Sequence, residues 1–123
     1  MDKRILLVED SPAYLLLMQN ALEGKGYTIL TAADGEQAIE QAHLHTPDLI
    51  LLDVVLPKKN GYQVCRQLKT EAAMKAIPII MVSSKTQDFD RYWGMKQGAD
   101  GYITKPFAPV SYTHLTLPTN REV

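Results

Sequence analysis

Asp48-Leu49-Ile50-Leu51-Leu52-Asp53-Val54-Val55-Leu56-Pro57 decides how the chain is to be read. Four consecutive apolar residues run into a carboxylate, and a proline comes four residues later. An apolar run this short, bounded by turn signals, predicts a strand buried on both faces. In an open α/β sheet, ligands bind in the crevice outside the carboxyl ends of the strands. Asp53 is therefore expected where a charge leaves the core to meet solvent, metal or substrate. By itself it is equally an ordinary loop aspartate after a strand. The rest of the chain breaks that tie.

Outward from this stretch, strands and helices alternate. Ile5 to Val8 is an apolar run that ends in Glu9-Asp10, and Ser11-Pro12 then opens a helix, serine as N-cap and proline at the first turn. Leu15, Leu16, Met18, Ala21 and Leu22 predict a broad apolar side on that helix, closed near Gly24 or Gly26. Tyr27 to Ala32 is the second strand. Asp34-Gly35 begins a helix carrying Ala38, Ile39, Ala42 and Leu44, which Thr46-Pro47 stops. Beyond Pro57-Lys58-Lys59-Asn60-Gly61, a third helix places Val64, Cys65 and Leu68 on one side. Ile77 to Val82 predicts a fourth strand ending at Ser83-Ser84, Asp88 to Gln97 a fourth helix, and Gly101 to Thr104 a fifth strand before Lys105-Pro106. This alternation predicts an α/β fold, a five-stranded parallel sheet with helices on both faces.

Composition sets the outer limits. A chain of 123 residues, 46% hydrophobic and 22% charged, is expected to form one soluble domain. A net charge of -1 gives no electrostatic reason to expect nucleic acid or an anionic membrane. No signal peptide opens the chain and no apolar run approaches the length of a membrane helix, so a cytoplasmic location is the default expectation. Cys65 is the one cysteine and offers neither an internal disulfide nor a multi-cysteine metal site. Its helical spacing from Leu68 makes it a core residue. His43, His45 and His114 show no metal spacing and read as solvated, as does the Lys58-Lys59 loop. Trp93 either packs a helix onto the sheet or presents a partner surface.

The residues at the end of each apolar run carry the chemistry. Glu9 and Asp10 come after the first strand, Asp53 after the third, Ser83 after the fourth and Lys105 after the fifth. If the strands are parallel, all of these side chains meet at one edge of the sheet. Three carboxylates in one cleft repel by about 4 kcal/mol per close pair at an effective dielectric near 20. Lys105 leaves a formal site charge of -2, which one Mg²⁺ cancels. Oxygen ligands without His or Cys favour such a hard cation. A carboxylate beside it can act as a nucleophile toward phosphorus, with Lys105 and the Ser83 hydroxyl stabilising the transferred group.

Glu9-Asp10, Asp53 with Pro57 and Gly61, Ser83, and Lys105-Pro106-Phe107 together resemble the response-regulator receiver domains, the CheY-like family, over Lys3 to about Val110. The resemblance implies a doubly wound, flavodoxin-like sheet with strand order 2-1-3-4-5. It implies that Asp53 accepts a phosphoryl group from a histidine kinase or phosphotransfer protein. Glu9, Asp10, Asp53 and the backbone carbonyl of Val55 would hold Mg²⁺. Ser83 and Lys105 would bind the phosphoryl group, Tyr102 would be the aromatic switch, and the bond to Pro106 would be cis. The output would be protein–protein contact with a downstream target, with no enzyme activity beyond the domain's own phosphorylation and dephosphorylation. Thr86 to Asp88 and Trp93 to Ala99 further resemble the single-domain regulators of type IV pilus and twitching systems.

Two other classes compete. An aspartate-nucleophile phosphatase usually carries a second aspartate two residues after the first, and that position is Val55. A flavin carrier needs a phosphate loop after strand one, where Glu9-Asp10 would repel the phosphate. A phosphate-blind receiver used as an interaction module remains a variant of the leading reading. The tail departs from the family. Residues 1–110 are expected to form the receiver body, and 111–123 an atypical segment where a fifth helix is due. Ser111 to Leu117 is rich in hydroxyl residues, and Pro118 limits any helix. Incomplete cover there makes the 88–123 face a candidate for self-association.

Overall fold

A computed structural model describes residues 3–83 and 95–104. Five strands, β1 (Lys3–Val8), β2 (Tyr27–Ala32), β3 (Leu49–Asp53), β4 (Ile79–Ser83) and β5 (Gly101–Thr104), form one sheet in the order β2-β1-β3-β4-β5. Every pairing is parallel. The order reverses between β1 and β3, the position at which doubly wound sheets open a crevice. All five residues of β3 are buried, as the central apolar run demands.

Alternation along the strands builds two cores. Leu6, Val8, Ile50, Leu52 and Met81 face α2 (Gly35–His45) and α3 (Gly61–Lys69), joined by Ala38, Ala42, Val64, Cys65 and Leu68. Ile5, Leu7, Leu49, Leu51 and Val82 face the other way, against Met18 and Leu22 of α1 (Pro12–Leu22). The helices start where their caps are written. Ser11 accepts from Tyr14 N, Asp34 from Gln37 N at 2.8 Å, and Asn60 forms a reciprocal capping box with Gln63. Thr46 closes α2 in the left-handed conformation, φ 47°, ahead of Pro47.

Three sequence expectations are corrected. Leu16 and Leu44 lie on the solvent side, 58% and 67% exposed. Each stands two residues from a buried position, Met18 or Ala42, and two residues are about 200° around a helix. Strand β4 begins at Ile79, because Pro78 has no N–H for the ladder, although its carbonyl still accepts Ile50 N at 3.0 Å. His43 is not merely solvated: its Nε2 lies 2.6 Å from Glu71 Oε1, joining α2 to the turn after α3. That hydrogen bond holds the Glu71 carboxyl below the usual carboxylate range. Of the expected fourth helix, Met95 and Lys96 are helical, while Asp88 to Gly94, Trp93 included, lie outside the described residues. The 111–123 tail and the expected fifth-helix position also lie outside them.

Cys65 behaves as the core residue its spacing suggests. It is fully buried and its thiol donates to Gln97 O at 3.4 Å. Burial pushes the thiol up to about 11, against a smaller opposing pull from Lys69. At pH 7 only about one thiol in ten thousand is then ionised. Iodoacetamide should leave Cys65 unlabelled in the folded protein and label it fully in denaturant, as read by intact mass. Labelling at equal rates in both would refute the burial.

Candidate functional site

Register brings the polar residues to one edge. Val8 pairs with Leu52, so Glu9 stands level with Asp53. Asp53 pairs with Val82, which puts Ser83 one step beyond, and Ser83 pairs with Thr104, one residue before Lys105. Parallel pairing is what makes this work, since antiparallel neighbours would alternate these ends between opposite edges. Among the described residues, Glu9, Asp53 and Ser83 are the buried polar or charged ones, 2%, 5% and 1% exposed. Buried carboxylates are costly unless hydrogen-bonded or neutralised, so their concentration in one place marks a site rather than a core.

The carboxylate cluster has three members. One ligand oxygen each from Glu9, Asp10 and Asp53 lies within 4.8 Å of the others. Glu9 is positioned by the backbone: its N–H donates to Ala32 O at 3.0 Å, and its Oε2 accepts Ser11 N at 3.0 Å. Asp10 is exposed. Oxygens on one Mg²⁺ stand at most about 4.2 Å apart. The cluster therefore fits such an ion after a small closure or through a bridging water. The oxygen-only donor set suits a hard cation.

The loop over Asp53 is held by close backbone contacts. Gly61 N donates to Val54 O at 2.8 Å and Gly35 N to Pro57 O at 3.2 Å. A Cβ on Gly61 would run into the Asp53 carbonyl and stand 2.9 Å from Val54 Cα. A Cβ on Gly35 would run into the Lys59 carbonyl. Lys58 sits between them at φ 69°, a left-handed turn that reverses the chain before α3. Val54 is buried while Val55 is 62% exposed beside the cluster. The support that Gly35 lends this loop has no signal in a single sequence, because it arises from α2 meeting a loop some 20 residues on.

Tyr102 lies on β5 opposite Met81, partly buried against the core that α2 and α3 cover. Of the expected site residues, Glu9, Asp10, Asp53 and Ser83 come together at the sheet edge, with Val55 in the adjoining loop. Lys105 and Pro106 lie outside the described residues.

Comparison with known proteins gives a consistent picture. The response regulator receiver domain family matches residues 5–115. The alkaline phosphatase synthesis transcriptional regulatory protein PhoP of Bacillus subtilis is 47% identical over 109 residues, 89% of this chain. The chain spans only 45% of PhoP's length. Protein PilH of Pseudomonas aeruginosa is 43% identical over 103 residues, covering 84% of this chain and 85% of PilH. Among solved structures, the receiver domain of the sensor histidine kinase PA1611 from Pseudomonas aeruginosa, with a magnesium ion coordinated in its active-site cleft, superposes with a TM-score of 0.84. It is 31% identical and covers 92% of this chain and 93% of that one.

Proposed function

This chain belongs to the response regulator receiver domain family, the phosphorylation-based signalling switches of two-component systems, and on that premise we propose that Asp53 is its phosphoacceptor. The observation that carries the reading is the pairing of a 5%-exposed carboxylate at the end of β3 with Glu9 and Asp10 within 4.8 Å. Glu9, Asp10, Asp53 and the Val55 carbonyl would hold Mg²⁺; the similar receiver domain of PA1611 has a magnesium ion coordinated in its active-site cleft. When bound, the ion supplies charge neutralisation at the acidic cluster and at the phosphoryl oxygens.

The chain's own residues do the rest. An Asp53 carboxylate oxygen attacks phosphorus, forming an O–P bond as the P–N bond to the donor histidine breaks and its imidazole takes a proton. The close-packed loop at Gly61 fixes the attacking group. Ser83, at the end of the neighbouring strand β4, and Lys105 would receive the phosphoryl oxygens. The phosphoryl group carries roughly -1.5 to -2 charges in place of the single carboxylate charge, and its strong acceptor oxygens draw the Ser83 hydroxyl and let Tyr102 turn inward.

The donor is a histidine kinase or phosphotransfer protein, and the output a protein partner. Transcriptional regulation belongs to PhoP's name, and this chain spans less than half of that protein. No action on an external substrate is assigned. We propose residues 1–110 as the receiver body and 111–123 as an atypical tail, on the hydroxyl-rich composition before Pro118, with the 88–123 face a candidate for self-association. A cytoplasmic location agrees with the described helices, none of which is long and apolar enough to cross a membrane.

Acetyl phosphate with Mg²⁺ should add one phosphoryl mass, lost in EDTA, cleaved by hydroxylamine and mapped to the peptide containing Asp53. Tyr102 ring resonances should shift on labelling in the wild type and not in Ser83→Ala. An absent adduct, or one on serine or histidine, would overturn the assignment; an equal Tyr102 shift in Ser83→Ala would overturn the coupling alone.

A further inference from the structure

We propose that the groove along the outer side of α3 docks an extended acidic segment of a partner protein. Two hollows make up this groove. One, of about 400 Å³, lies between the end of α3 and the turn at 96–98 and is walled by Arg66, Lys69 and Lys96. The other, of about 290 Å³, shares Arg66 and Gln97 with it and runs to Asn60, Tyr62 and Gln63 at the start of α3. No aspartate or glutamate lines either hollow among the described residues.

The groove is rich in donors. The Asn60 side-chain oxygen accepts Gln63 N at 2.9 Å, and the Gln63 side-chain oxygen accepts Asn60 N at 2.9 Å. With both oxygens committed to the helix cap, these exposed amides offer a ligand their N–H groups. Lys69 forms a fixed wall, because its Nζ donates to Asp100 Oδ2 and Ile77 O, each at 2.8 Å. Asp100 thereby neutralises the Lys69 charge. Arg66 is exposed and has no ion-pair partner among the described residues. Lys96, also exposed, stands across the hollow on the other wall.

Shape selects the class of ligand. The nine residues of α3 extend about 14 Å, long enough for about four residues of extended chain. Carboxylates on alternate residues of such a chain fall about 6.6 Å apart, matching donors strung along a groove rather than converging on one point. A single phosphate needs convergent donors. A nucleic acid needs several phosphate contacts, and this chain has a net charge of -1. The proposal does not depend on Asp53 being the phosphoacceptor.

The test uses the full chain at physiological salt and a fluorescein-labelled peptide with Glu and Ser alternating over about eight residues, read by anisotropy. Arg66→Glu/Lys96→Glu is compared with Lys3→Glu/Lys25→Glu, which makes the same change in net charge at exposed sites away from the groove. Circular dichroism confirms that both fold. The groove variant should bind at least about tenfold more weakly and the control should change less than about twofold. Equal weakening in both would reduce the effect to bulk charge and overturn the site. So would no binding by the wild type, equal binding of the Gln-for-Glu peptide, or displacement by millimolar inorganic phosphate.

Discussion

Asp53→Asn is expected to melt at a higher temperature than the wild type in EDTA, to lose most of that advantage in Mg²⁺, and to accept no phosphoryl group. The reason is the cost of the site. Three carboxylates place ligand oxygens within 4.8 Å of one another, and two of them are buried. Asp53 therefore faces two like charges, each worth about 4 kcal/mol in repulsion at an effective dielectric near 20. Exposure of Asp10 and relaxation of the cluster reduce this, and a net gain of about 1–2 kcal/mol is a fair expectation for the isosteric amide. For a domain of this size that is several degrees in Tm. Mg²⁺ stabilises the folded state by mass action only where it binds, so it should raise the wild type and barely move the variant. The amide nitrogen and carbonyl of Asn have no carboxylate nucleophile to offer phosphorus. Calorimetry with and without Mg²⁺, and intact mass after acetyl phosphate, measure all three effects. A variant that melts lower in EDTA, or gains as much from Mg²⁺ as the wild type, would show that the three carboxylates do not act as one ion site.

Gly61→Ala should remove most of the phosphorylation rate as well as stability. The added methyl would overlap the Asp53 carbonyl and crowd Val54 Cα at 2.9 Å, and both are backbone atoms at the end of a central strand. Neither can swing aside as a flexible side chain would. The α3 start must back away instead, breaking the 2.8 Å bond from Gly61 N to Val54 O. Overpacking of this kind costs about 1–3 kcal/mol. A displacement of even about 1 Å at a reacting group can cost about a hundredfold in rate. Gly24→Ala is the informative control. Gly24 has φ 79° with nothing within 4 Å of a built Cβ, so it should lose stability through backbone strain alone. Its labelling rate should stay near wild type. If Gly61→Ala labelled as fast as Gly24→Ala, the close loop contact would not be positioning Asp53.

Most of the architecture was legible from pattern. Short apolar runs ending in Glu9, Asp53 and Ser83 announced buried parallel strands, because a strand covered on both faces is apolar at successive residues and these runs are too short for a buried helix. Ser11-Pro12, Asp34 and Asn60 announced helix starts, because unpaired N–H groups at a first turn select those side chains. Strand order came from family resemblance, since pairing between elements distant in sequence leaves no local trace.

Tertiary structure decided the rest. It turned Leu16 and Leu44 outward, because facing depends on where a helix sits against the sheet and not on how apolar its residues are. It paired His43 with Glu71 across 28 residues and set Gly35 beneath the Lys59 carbonyl. It also brought Lys96 to the groove beside Arg66 and the cap amides of α3, which stand at least 30 residues earlier in the chain. The residue types of the candidate site were written in the chain at the ends of β1, β3 and β4. The meeting of the three carboxylates within 4.8 Å was the work of parallel register, which carries Glu9, Asp10 and Asp53 to one edge of the sheet.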